Sequence, residues 1–311
     1  MHLWSDLYSV DKKRLVRAGE EITPRVLKAL AEQASRPRAI PIADTPLFRD
    51  LRRVFRDERY ATILSPPKAN QEILQAMGKV ILPETIVQEL GHIARVIPAS
   101  YQHMIHTTVL STKFSLDPHL RTTLDPTRMA RLSLVHDLGK SRIPLHILDK
   151  ETPITAGEFE VLKSHALIGY VLLHYYCGRD HKDCSFAAIE HHERRDGSGY
   201  PRRIKKIRTY SQIIAVAEDF DALISSRPFR KEPYTQRAAL DHLLDEAAAG
   251  KLPPRIVRLL IAQARKSKPT LQTLRIPTGK RDAPPVDNLH NMILRDDRNK
   301  RTIEITPSKK R

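Results

Sequence analysis

A chain of 311 residues, 41% hydrophobic and 29% charged, is long enough for more than one core at about 100 to 200 residues per domain and too polar for a membrane-spanning class. Its net charge of +17 points to an anionic substrate or partner, and its two cysteines, Cys177 and Cys184, are too few for a disulfide framework. No apolar run approaches the roughly 18 residues of a membrane helix and MHLWSDLYSVDKK lacks the order of a signal peptide, so a cytosolic protein is expected.

In chain order, LYSVDKKRLVRAGEEIT predicts two short strands, and Pro24 opens a helix to about Gln33. Helices follow over 47–59, 69–79 and 84–96; in the last, Ile86, Leu90, Ile93 and Ile97 recur at helical spacing. Pro98 breaks the pattern, and a domain boundary is placed there. Beyond it, His106 shares a helix with Met104, Val109 and Leu110, and a helix over 127–138 ends at Gly139. Thr155 and Glu158 form a capping box that opens a helix to about Tyr175. A helix over 234–249 stops at Gly250, and Pro253 with Pro254 begins the last one. The expected fold is mainly α: an N-terminal α+β regulatory or dimerising module (1–97), an all-helical domain (98–268) and a basic, largely irregular tail (269–311). From Arg265 to Arg311 there are 13 Lys and Arg against 5 Asp and Glu, with five prolines. A solvated extension is the preferred reading of that segment, and a nucleic-acid-binding one the lesser.

The helical region carries the chemistry. His136 and Asp137 end the apolar segment LSLVHDLGK, where two polar neighbours are costly unless something pairs them. His106 lies upstream. His165 shares a helix face with Phe159, Leu162, Gly169 and Leu172, and the adjacent His191 and His192 precede a glycine turn, DGSGYP. Glu218 and Asp219 interrupt IIAVAEDFDAL. Singly, each histidine reads as a core or surface residue; together, five imidazoles and carboxylates rising from apolar helices ask for a metal. Nitrogen and oxygen ligands without thiolate favour iron, manganese or zinc in an open site. The set exceeds the needs of one ion, and two ions bridged by Asp137 use it all. Such a pair lowers the pKa of a shared water and neutralises charge on a phosphate ester. The chain has no GxxxxGK[ST] loop and no convincing Ser-His-Asp arrangement. A zinc reading of Cys177 and Cys184 around His181 and Asp183 fails on spacing. A second basic cluster, Arg194, Arg195, Arg202, Arg203, Lys205, Lys206 and Arg208, brackets the glycine turn.

His106, HDLGK (136–140), Ile143 and Pro144, KSH (163–165), Gly169, HHE (191–193), DGSGYP (196–201), AEDFDAL (217–223) and SRPFR (226–230) stand in an order that resembles the HD-GYP domain of the HD phosphohydrolase superfamily, over roughly 98–268. The resemblance implies a helical domain holding two, sometimes three, divalent ions, usually iron or manganese, which hydrolyses cyclic dinucleotides such as cyclic di-GMP by a metal-activated hydroxide in bacterial signalling. It implies metal ligation by His106, His136, Asp137, His165, His191, His192 and Glu218, with Asp137 and Lys140 as the catalytic residues. Lys140, Gly199, Tyr200, Pro201, Asp221, Arg227 and Arg230 match positions that meet the nucleotide, and the same loop is implicated in contacts with diguanylate cyclases. Glu218 stands where the family has Asp, leaving either Glu218 or Asp219 as the ligand, and Gln102 replaces a Glu associated with a third metal. Two ions are therefore expected. The alternative is a slow enzyme or a non-catalytic cyclic-dinucleotide receptor.

Overall fold

Leu7–Tyr8 (β1) and Arg14–Val16 (β2) pair antiparallel, Leu7 opposite Val16, and hide Leu7 and Val16 on one face. Pro24–Gln33 (α1) follows, then Ala39–Pro41 (β3), Pro46–Arg53 (α2) and Pro67–Gly78 (α3). Ile81–Pro83 (β4) returns antiparallel to β3 with Leu82 opposite Ile40. The remaining helices are Glu84–Val96 (α4), Pro98–Ser115 (α5), Pro118–Arg121 (α6), Pro126–Val135 (α7), Leu145–Leu148 (α8), Ala156–Cys177 (α9), Lys182–Glu190 (α10), Thr209–Ile224 (α11), Gln236–Ala248 (α12) and Pro254–Gln263 (α13). Ile154–Thr155 (β5) pairs parallel with Ile293–Leu294 (β6). This computed structural model describes residues 1–33, 38–65, 67–121, 124–178, 182–227, 230, 232–276, 282, 284–285 and 293–294. The mainly α class matches the sequence expectation; most of the basic tail, Pro228 and Phe229 of SRPFR, and His181 of the cysteine cluster lie outside the described residues.

Helix starts follow local chemistry. Asp125 accepts a hydrogen bond from Arg128 N (2.7 Å) ahead of Pro126, and Thr155 Oγ1 accepts from Glu158 N while the Glu158 carboxylate accepts from Thr155 N. The helix expected over 47–59 stops at Arg53 and continues as 3-10 turns over Val54–Arg56 and Glu58–Tyr60. The cause is Asp57, whose side chain takes Arg59 N (3.0 Å) in an extended backbone and competes with the helical ladder.

One apolar core runs through both sides of residue 98. α5 and α9 are buried around nearly their whole circumference. α5 packs on α7, α11 and α4, while α9 packs on α10, α1 and the turn after α7. Glu89 on α4, buried, joins Arg142 and accepts from Tyr176 Oη (2.7 Å), which in turn accepts from Val10 N (2.8 Å). This ties the N-terminal hairpin and α4 to α9.

Candidate metal centre

The HD pair is not inside a helix. α7 ends at Val135, Asp137 turns the chain (φ −101°, ψ 13°), and a 3-10 segment runs from Leu138 to Arg142. Gly139 makes this turn fit: a Cβ there would lie 2.0 Å from the His165 carbonyl oxygen and 2.5 Å from Gly169 N. The glycine thus presses the turn onto the middle of α9. Gly199 plays the same part in the DGSGYP turn, where a Cβ would fall 2.4 Å from His192 O and 2.3 Å from Arg194 N.

Those approaches gather side chains from α5, the α7 turn, α9, the end of α10 and α11. His165 Nε2 is 3.3 Å from both Asp137 Oδ1 and His191 Nε2, and His191 Nε2 is 3.6 Å from Asp137 Oδ1. His136 Nε2 is 3.5 Å from Asp137 Oδ2 and 3.9 Å from Glu218 Oε2; His192 Nδ1 is 3.2 Å from Glu218 Oε1. Backbone carbonyls fix three rings: Nδ1 of His136 lies 2.6 Å from Ser133 O, that of His165 2.6 Å from Leu162 O, and that of His191 3.1 Å from Ala187 O. Donation there leaves each Nε2 with its lone pair facing inward, as metal-bound imidazoles require. Three overlapping sets lie close enough to share an ion: Asp137, His165, His191 and His192; His103, His136 and Asp137; His136, His191 and Glu218.

The donors are short of a cation. His136 Nε2, Asp137 Oδ1 and Glu218 Oε2 are buried without a hydrogen-bond partner, an arrangement that native interiors avoid unless something else satisfies the atoms. Burial drives the His136 and His165 imidazoles down to about 3, so both are neutral and ready to ligate. Burial, with Asp137 and Asp219 nearby, pushes Glu218 up to about 8; an ionised Glu218 at neutral pH needs more positive charge than the protein supplies. Burial would also raise Asp137, but Lys140 and the flanking imidazoles hold it well below the usual carboxylate range. Residues and charge deficit fit divalent cations.

Six of the seven expected ligands converge. His106 does not: its Nδ1 is 3.2 Å from Asp221 Oδ1 and its Nε2 3.5 Å from Asp57 Oδ2, and it belongs to none of the three sets. His103, one turn earlier on α5, takes its place in these sets, beside His136 and Asp137. Counted from His103, the position four residues back is Ala99 and not Gln102; neither is a carboxylate. Asp219 is engaged by both oxygens with Arg194 Nη2 (3.0 Å each), which leaves Glu218 facing the centre. Asp221 and Arg230, expected on the nucleotide, are turned inward. Asp221 binds Tyr60 Oη and His103 Nδ1, and Arg230 donates to the carbonyls of Ala222, Leu223 (2.8 Å) and Ser225 (2.8 Å) at the C-terminal end of α11. Arg227 Nη2 is 3.2 Å from His103 Nδ1. Lys140 Nζ is 2.5 Å from Asp137 Oδ2 and partly exposed. Of the basic cluster, Arg202 (2.8 Å) and Arg208 bind the buried Glu190, while Arg195, Arg203, Lys205 and Lys206 are exposed.

Beside the centre lies an open cleft of about 900 Å³, whose lining includes His192, Gly199, Tyr200, Pro201, Lys163 and Trp4. Tyr200 stacks on His192 with ring centroids 4.6 Å apart, so the GYP turn forms a wall that begins at a candidate ligand.

A family model described as "HD domain" matches residues 91–256. The chain is 43% identical over 130 residues to the cyclic di-GMP phosphodiesterase response regulator RpfG of Xanthomonas campestris, covering 41% of this chain and 34% of that protein. It is 41% identical over 120 residues to a cyclic di-GMP phosphodiesterase of Thermotoga maritima (38% and 32%), and 35% identical over 132 residues to 3'3'-cGAMP-specific phosphodiesterase 2 of Vibrio cholerae (42% and 25%). The match spans between a quarter and about a third of the length of these relatives. Among solved structures, Bd1817, an HDGYP protein from Bdellovibrio bacteriovorus, aligns with TM-score 0.43 and 15% identity over 84% of this chain and 94% of that one. No helix of the described residues is long and apolar enough to cross a membrane.

Proposed function

Since the chain belongs to the HD domain family and carries the HD-GYP motif set, we propose that it is a metal-dependent phosphodiesterase acting on a cyclic dinucleotide of the cyclic di-GMP class. The observation that carries this reading is the set of buried, unpartnered donor atoms of His136, Asp137 and Glu218 in contact with three further imidazoles. His103, His136, Asp137, His165, His191, His192 and Glu218 would hold two divalent ions; the donor type suits iron, manganese or zinc, and the HD-GYP resemblance favours iron or manganese. Bound there, the ions supply an activated water and neutralise charge on the phosphate.

The chain's own groups do the rest. Lys140, anchored on Asp137 and partly exposed, presents its ammonium where a phosphodiester oxygen would sit. Arg227, with Nη2 3.2 Å from His103 Nδ1, is a second cation beside the centre. Tyr200, fixed by stacking on His192 and by the close-packed Gly199, offers a flat surface to a purine with Lys163 over its ring at 6.0 Å. The exposed rim of Arg195, Arg203, Lys205 and Lys206 is where contact with a diguanylate cyclase would fall under this reading.

The test is hydrolysis of cyclic di-GMP by the full chain reconstituted with Mn(II) or Fe(II), read by chromatography, against the His136→Ala/Asp137→Ala variant. Linear product from wild type and none from the variant is expected. Turnover retained by the variant overturns the reading. A receptor that binds without hydrolysis is favoured by one observation: Asp221 and Arg230 are spent inside the protein and not on the cleft. Saturable binding of cyclic di-GMP with no product would establish it.

A further inference from the structure

The N-terminal segment Asp57–Tyr60 reaches into the metal centre from outside the helical domain. Asp57 faces His106 Nε2 (3.5 Å), Arg59 Nη1 donates to Ser225 Oγ (2.8 Å), and the fully buried Tyr60 donates its hydroxyl to Asp221 Oδ1 while its ring lies 5.1 Å from that of His106. Asp221 Oδ2 in turn accepts from His103 Nδ1, and His103 is the ligand candidate that α5 contributes beside His136 and Asp137.

We infer that Tyr60 is a positioning residue for the metal centre, holding Asp221 so that Asp221 fixes the ring and tautomer of His103. The inference rests on the metal-dependent reading above. Its physical basis is the geometry of a buried carboxylate with several donors to serve. Oδ1 also receives Ser225 Oγ (3.2 Å) and lies 3.2 Å from His106 Nδ1, so without the tyrosine hydroxyl the carboxylate can rotate towards those partners and release His103. With Nδ1–H committed to Asp221, the Nε2 lone pair of His103 is the one left to ligate. Asp57 and Arg59 hold the segment: Arg59 donates to the Asp57 carboxylate (2.6 Å) as well as to Ser225, pinning the 3-10 turn that carries Tyr60 against the C-terminal end of α11. The N-terminal module is thereby part of the centre and not only packed beside it.

Titrating Mn(II) alone into the chelator-treated full chain tests the idea. Tyr60→Phe should weaken Mn(II) affinity by about 10- to 100-fold, the usual cost of losing a group that orients a ligand, while thermal unfolding of the metal-free protein stays close to wild type. In an Asp221→Asn background the same change should add nothing, because the relay is already cut. Arg59→Ala, at a half-exposed position, should move the affinity the same way by a smaller factor. Wild-type affinity in Tyr60→Phe overturns the inference. So does a loss that adds in full to that of Asp221→Asn, or, where Tyr60→Phe does not fold, wild-type affinity in Arg59→Ala. A wild-type chain that binds no Mn(II) sinks the metal reading itself, a distinguishable result.

Discussion

His106 Nδ1 lies 3.2 Å from Asp221 Oδ1, while His103 Nδ1 is bonded to the other oxygen of the same carboxylate. One buried acid thus clamps two imidazoles a turn apart on α5, and only His103 reaches His136 and Asp137. His103→Ala is expected to lower Mn(II) affinity by more than about 100-fold, and His106→Ala by no more than the roughly 10- to 100-fold of losing an outlying contact. Calorimetric titration separates the two; the reverse order would return His106 to the ligand set.

Gly139 sets the approach of the HD turn to α9. Gly139→Ala places a methyl 2.0 Å from a backbone carbonyl, whereas Gly169→Ala meets the Ala188 side chain at 3.2 Å. The first substitution should destabilise the protein by roughly 2 to 3 kcal/mol and the second by less. Denaturant unfolding of both variants in chelator measures the difference, and equal stability would show that the turn can shift freely.

Lys140 touches the centre through Asp137 without being a ligand candidate. Lys140→Met should therefore retain Mn(II) while kcat/KM for cyclic di-GMP falls by about 100-fold or more, the effect of removing one preorganised charge from a transition state. Loss of Mn(II) in proportion to loss of rate would assign Lys140 to holding the site together.

His174 lies far from the centre, its Nδ1 2.9 Å from Tyr170 O and its ring 4.4 Å from that of Tyr170. Burial lowers its pKa below the ordinary value, while the Tyr170 carbonyl opposes the shift. The unfolded chain therefore takes up this proton first. The stability tied to a neutral His174 is complete above the unfolded pKa of about 6.5 and is lost as pH falls from there towards the folded value. His174→Gln should flatten the decline in thermal midpoint between pH 7 and 5 in chelator. A decline as steep as in wild type would assign acid sensitivity to other groups.

Much of the site was legible in the chain because its residue types are incompatible with their apolar surroundings. His136 and Asp137 in LSLVHDLGK, His165 on an apolar face and Glu218 in an apolar helix declare themselves without coordinates. The choice between His103 and His106 was not legible. Both lie on α5 and both are buried, so helical spacing cannot separate them; the rotation of α5 against α7 and α11 does. Asp57 and Tyr60 carried no signal either, since nothing local marks a 3-10 turn as the neighbour of a residue 161 positions away. Arg230 misled for a related reason. The resemblance puts this cation on a phosphate, but the carbonyls of the last turn of α11 claim it.

Local physics determined the helical class, the capped start of α9, the glycines of the two tight turns and the inventory of imidazoles and acids, because each depends on residues within a few positions of one another. Tertiary packing alone decided which of those groups come close enough to share a cation, which arginines are spent inside the protein, and that a tyrosine from the first hundred residues braces a histidine of the centre. Such choices are settled by the relative rotation of buried helices, a quantity set by the fit of whole surfaces and written in no short stretch of chain.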